Sequence, residues 1–388
     1  MTEPISRGRQ RARCVARAFV LTALAGSAAC HPAPPQPVER TIKLKDQIAV
    51  IRVASSDAPY WQTVYESTAR TMKRVDDALG TQSPNSDISR LNRVGSDARI
   101  QISHDTFRLL DIAQHYSELS GGAFDFTVAP LAYLWGFEGG PLPTNAPSQD
   151  MLQVALTGIG VRNLALFENG AAALTRAQAK VSVDSLADAY AADMALVEAR
   201  DKAVANAFVQ IGRSARALGA SDAGDPWQMP LADPFQTNGT LGRLLLDGRI
   251  AMSQALLREK TVTIGGKIYG HIIDPRTGSP AEGTALAAAS GPSATKCSVL
   301  AQALIVAGVG GAPQVLARFS KCEALLVPDR KPLEIWMTHG FAPHVKLNPE
   351  LQGAVKYIEV VKSAEPVKDD DAPTATNSAA ASPPPAAK

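Results

Sequence analysis

Apolar and polar positions alternate over Ile48-Ala-Val-Ile-Arg-Val53, which predicts a half-buried strand near the start of the folded region. From Thr63 to Leu79, and again from Asp105 to Leu119, apolar residues return every three or four positions, the period of an amphipathic helix. The second pattern stops at Gly121-Gly122, a natural helix end. Residues 186–200 predict an Ala-rich helix, and Ala207-Phe-Val-Gln-Ile211 predicts a buried strand. Residues 295–308 predict a last apolar helix that ends at Gly308, Gly310 and Gly311. Gly308-Val-Gly-Gly311 has the composition of a phosphate loop, but it follows a helix and therefore reads as a helix C-cap. Strands and helices are mixed without a regular βαβ alternation and without an internal repeat. The expected fold class is α+β, a mixed sheet with helices packed on it.

The pattern fails at both ends. Residues 364–388 are rich in Ala, Pro, Asp, Ser and Thr and carry no apolar period, as expected of a disordered tail. Residues 1–29 read as an export signal: a basic start with Arg7, Arg9, Arg11, Arg13 and Arg17, then the apolar run Ala18–Ala29. Small residues Ser27, Ala28 and Ala29 lead into Cys30, which resembles a bacterial lipoprotein signal with lipid carried on Cys30. The alternative is an ordinary secretory signal cut near the same place. A Pro-rich linker, residues 30–40, then joins the membrane to one large domain at residues 41–363. The expected location is the periplasmic side of a bacterial membrane.

Composition adds limits. The 388 residues are 45% hydrophobic with a net charge of +2, enough to bury a large core. The basic excess sits in the export signal and leaves the remainder slightly acidic, so nothing points to a nucleic-acid partner. No later stretch has the roughly 18 unbroken apolar residues of a membrane span. Cys297 and Cys322 are the cysteines of the mature body besides Cys30. In an oxidising compartment they either pair or remain isolated buried thiols.

The clearest candidate chemistry is His271-Ile-Ile-Asp-Pro-Arg-Thr-Gly278. Asp, Pro and Gly are turn formers, so the block reads as a strand that ends in a tight loop with an imidazole at its mouth. A rigidly held histidine is either a proton acceptor or a strand cap. A Walker loop, a strand-linked Gly-x-Gly-x-x-Gly, a His-Glu-x-x-His and a nucleophile elbow are all missing.

Several segments, in one order, resemble the FAD:protein FMN transferases. They are Ser86-Asp-Ile-Ser-Arg-Leu-Asn92, Ser120-Gly-Gly-Ala-Phe-Asp-Phe-Thr-Val-Ala-Pro-Leu131 with Leu134-Trp-Gly-Phe137, Asp225-Pro-Trp227 with Asp233-Pro234, and the block at 271–278. The resemblance implies the FMN transferase fold, FAD as substrate, Mg²⁺ on its pyrophosphate and a target flavoprotein in the cell envelope that receives FMN on a threonine. It makes His271 the base, with Asp274 holding the turn or acting in catalysis. It places Phe124 and Trp135 against the flavin or adenine ring, or in the core. Asn92 and Asp125 would bond nucleotide groups, or cap loops.

The chain also departs from the family. Where the family carries Asp-Leu-Gly-Gly-Ile-Ala-Lys-Gly-Tyr-Ala-x-Asp, it has Ser182-Val-Asp-Ser-Leu-Ala-Asp-Ala-Tyr-Ala-Ala-Asp193, with Asp188 at the lysine. Gln210-Ile-Gly-Arg-Ser214 and Met252-Ser-Gln254 stand at two glycine-containing motifs. Ser298 and Gln302 replace the aspartate and threonine that hold the metal, and Asp188 or Asp184 is the candidate to compensate. Three readings follow: a flavin transferase, a degenerate flavin binder, or an assembly partner of envelope flavoproteins.

Overall fold

The computed structural model describes residues 37–360, apart from 45–46, 55, 57–58, 60 and 82. The export signal, Cys30 and the tail at 364–388 lie outside the described residues. The first described strand, Val38–Lys43, overlaps the stretch assigned to the linker and pairs antiparallel with Ile48–Val53.

The architecture is α+β. A nine-stranded sheet runs in the order Val38–Lys43, Ile48–Val53, Ala207–Ile211, Ser214–Leu218, Ala251–Leu256, Thr284–Gly291, Glu323–Pro328, Ile335–Met337 and Val355–Tyr357. Its pairings are antiparallel except the last, which is parallel, so the sheet is mixed as expected. Alternation sends Ala49, Ile51 and Val53 to one core and Phe208, Ala215 and Ala217 to the other. The first core lies under the helices. The second lies under a three-stranded sheet formed by Trp227–Ala232, Thr240–Leu246 and Val345–Leu347.

Seven α-helices are described: α1 (Trp61–Leu79), α2 (Asp87–Val94), α3 (His104–Leu119), α4 (Ala129–Leu134), α5 (Gln149–Leu156), α6 (Asp184–Asp201) and α7 (Ala294–Leu316). Ser86, Ser103, Ser148 and Ser293 each accept an amide of the first turn and fix where α2, α3, α5 and α7 start. The strand Thr284–Gly291, rich in alanine and buried throughout, lets α7 approach closely. The predicted end of α7 needs correction. Gly308 does break the helix, at φ +67°, but the helix resumes and runs to Leu316. Pro313 lies inside the resumed segment, five residues past Gly308, where it lacks the N–H that would otherwise bond the carbonyl four residues back.

Candidate functional site

The loop at 271–278 is fixed from three sides. The strand Lys267–Gly270 delivers it, and Ile273 bridges Pro280. Asp274 Oδ1 accepts the Arg276 amide at 3.0 Å and Nε at 2.8 Å, while its carbonyl accepts the Gly278 amide at 2.9 Å. Asp274 therefore holds the turn, the reading its residue type suggested. Gly278 has φ +76°, and a methyl group on it would stand 3.1 Å from Leu131. Trp135 Nε1 donates to the Gly278 carbonyl at 2.8 Å. The segment 120–137 and the 271–278 loop are thus one packed unit. Trp135 belongs to the small core around Leu131 and Leu152, and Phe124 belongs to the core under the helices.

His271 is half-buried, with the edge of its ring 6.4 Å between centroids from Phe137. Burial pushes its pKa below the ordinary histidine value, and the Lys260 charge acts in the same direction. The Glu259 charge and the carbonyls of Lys260 and Leu257 oppose them and do not prevail. The imidazole is therefore neutral at pH 7. Its Nδ1 is buried and has no hydrogen-bond partner.

Glu259, whose charge acts on His271, also lines a cleft of about 520 Å³ with Gly212, Arg213, Phe235, Gln254 and Arg258. Arg213 pairs with Glu259 at 2.7 Å. Gln254 donates to the Pro230 carbonyl and accepts the Ala232 amide, stitching the two sheets together. Asp188 lies at the same edge, with a carboxylate oxygen 3.2 Å from where a Gly212 side chain would start.

Ser298 and Gln302 stand four residues apart on α7 and do converge, on Ser185 at the start of α6. Ser298 Oγ donates to the Ser185 carbonyl at 3.1 Å. Ser185 Oγ donates to Gln302 Oε1 at 3.3 Å, and Gln302 Nε2 donates to the Ser298 carbonyl at 3.2 Å. These oxygens are neutral and bonded to one another. Asp184 is held by the Thr81 hydroxyl at 2.7 Å. Among the described residues no cluster of three His, Cys, Asp or Glu side chains is placed for a metal. This donor set does not fit Mg²⁺, which favours charged oxygens.

Asn92 bonds the Val181 amide and carbonyl, each at 2.8 Å, and so fixes the approach to α6. Asp125 accepts the Thr127 amide at 2.8 Å and its hydroxyl at 2.5 Å, and burial raises its pKa. It lines a different hollow, of about 570 Å³, with Ser117, Asn163 and Arg176. Sequence reasoning missed Asp193, although it closes the 182–193 motif. Its fully buried carboxylate accepts the amides of Ala294 and Thr295 and thereby caps α7. Ser185, Glu259 and Lys260 were also missed; only Ser185 lay within a motif that could have flagged it.

Comparisons with known proteins give one direction. A family model described as the ApbE family matches residues 41–326. The chain is 26% identical over 219 residues to a FAD:protein FMN transferase of Vibrio cholerae, covering 56% of this chain and 65% of that one. It is 28% identical over 225 residues to one of Haemophilus influenzae, with the same coverage of 56% and 65%. A Salmonella typhimurium relative with that name is 23% identical over 339 residues, 85% of this chain and 96% of its own. The chain thus spans just under two thirds of the first two relatives and nearly all of the third. Among solved structures, the ApbE protein of Thermotoga maritima superposes with a TM-score of 0.71 at 24% identity, over 80% of this chain and 100% of its own. The flavin transferase ApbE of Vibrio cholerae gives 0.68 at 22% identity, with coverage of 80% and 100%. These two likenesses establish the fold.

Proposed function

The chain belongs to the ApbE family, and on that premise we propose that it takes FAD and moves FMN onto a threonine hydroxyl of a flavoprotein in the cell envelope. Its relatives named FAD:protein FMN transferase support the substrate and the reaction class. In this reaction the threonine oxygen attacks the phosphorus of the FMN half of FAD. The bond from that phosphorus to the bridging oxygen breaks, and AMP leaves. The hydroxyl proton passes to His271. The observation that carries this reading is the neutral imidazole on a loop locked by Asp274, Trp135 and Gly278. A base needs the free ring before the step and a fixed position during it, and this loop supports both.

No step is routed through Mg²⁺, because Ser185, Ser298 and Gln302 do not fit it. Export on the Cys30 lipid, to the periplasmic side of a bacterial membrane, is part of the proposal and rests on residues 1–30 alone.

The closed Ser185–Ser298–Gln302 cluster favours a second reading, a flavin binder without transfer activity. One experiment separates the two. The purified protein and its His271→Ala variant are incubated with FAD and a threonine-bearing acceptor peptide, and AMP is measured alongside bound flavin. AMP from the parent but not from the variant supports transfer. Bound FAD without AMP from either supports the binder.

A further inference from the structure

Cys297 lies in the first turns of α7, and Cys322 immediately precedes the strand Glu323–Pro328. Both are buried thiols in the structure. They are 25 positions apart in sequence, yet they meet over one residue, Gly291. In the pairing of Thr284–Gly291 with Glu323–Pro328, Ser290 faces Glu323, so the next pair in register is Gly291 and Cys322. A methyl group on Gly291 would lie 2.7 Å from Cys322 Sγ and 3.3 Å from Cys297 Sγ. The two sulfurs are therefore no further apart than the sum of those distances. The missing side chain at Gly291 is what gives both sulfurs the same space. Burial holds the Cys297 thiol well above its ordinary pKa, and the neighbouring Cys322 acts in the same direction.

We propose that Cys297 and Cys322 are a disulfide-forming pair that ties the first turns of α7 to the strand Glu323–Pro328 across Gly291. The proposal is independent of the flavin chemistry and deepens the proposed export, since an oxidising compartment supplies the disulfide oxidant that the bond needs. The reaction is thiol–disulfide exchange. Cys322, the more exposed of the two, attacks an oxidant disulfide as its thiolate, forms a mixed disulfide and releases one thiol. Cys297 then loses its proton and attacks Cys322 Sγ, releasing the second thiol. The protein gives up two protons and two electrons, and the oxidant disulfide becomes two thiols. The deep burial of Cys297 makes this second step slow and dependent on local opening of α7. The product pins the helix turn that carries Ser298, next to Cys297 on α7.

The test uses the full chain. Protein reduced with dithiothreitol is exchanged into buffer with oxidised glutathione, quenched with N-ethylmaleimide in denaturant, and mapped by tryptic mass spectrometry without reduction. The proposal expects a linked pair of peptides carrying Cys297 and Cys322, lost on reduction, and a rise in melting temperature of the oxidised form. A Cys322→Ser variant should show no such linkage and no rise. If Cys297 and Cys322 of the parent remain fully alkylated by N-ethylmaleimide, or if Cys322 stops at the glutathione adduct, the pair does not close and the proposal is wrong.

Discussion

Replacing Asp193 by alanine should unfasten α7 from α6 and from the sheet. The Asp193 side chain is fully buried, and it accepts the Ala294 amide at 2.9 Å, the Thr295 amide at 3.0 Å and the Thr295 hydroxyl at 2.8 Å. It also pairs with Arg216 at 3.0 Å, whose side chain is 22% exposed. Alanine leaves two backbone donors, a hydroxyl and a guanidinium without that acceptor. Hydrogen bonds to a charged group contribute roughly 1.5–3 kcal/mol each, but one carboxylate serves all of them, so they do not add. Breaking a buried ion pair by removing one member costs about 3–5 kcal/mol. That range is the expected loss for Asp193→Ala. Asn keeps one acceptor oxygen for the amides and loses the charge, so Asp193→Asn should lose less, about 2 kcal/mol. Urea denaturation followed by circular dichroism measures both. A loss under about 1 kcal/mol for Asp193→Ala would show that Ser293, which caps the same helix, suffices, and would refute the reasoning.

Gly291→Ala should destabilise by about 1–3 kcal/mol through overpacking against the two sulfurs, read by the same denaturation; a neutral result would mean that the sulfurs are not held there. A base must be unprotonated, and burial lowers the His271 pKa, so the acid limb of the pH–rate profile for FAD cleavage should have its midpoint below about 6.5. Activity is then lost only as the pH falls through that lowered midpoint; a midpoint above about 6.5 would count against the assignment. Calorimetric titration of the parent with Mg²⁺ in the presence of FAD should give no stoichiometric binding, whereas Ser298→Asp with Gln302→Thr should create it, since both positions face Ser185 from one side of α7. Tight binding by the parent would show that other oxygens hold the metal.

Long periodic segments were legible in the sequence. Apolar spacing placed α1 and α3 to within two residues, alternation placed Ile48–Val53, and a short apolar run placed Ala207–Ile211. The end of α7 was misread because Gly308, Gly310, Gly311 and Pro313 are terminators by type, and only the packed structure shows the helix resuming after the kink. The turn role of Asp274 was legible because Asp-Pro-x-Thr-Gly bonds within itself. The roles of Asn92 and Asp125 were not, because a polar side chain does not reveal its partner: Asn92 meets Val181 across 89 positions of sequence. Convergence of Ser298 and Gln302 followed from their spacing, but Ser185, their partner in the cluster, is brought by α6 through tertiary packing alone.

The release of AMP from FAD by purified protein, in the presence of excess chelator, tests the central claim most directly. The account predicts AMP in step with FMN appearing covalently on a threonine of the acceptor, and none from His271→Ala. FAD recovered intact from the parent, with the acceptor unlabelled, would contradict it.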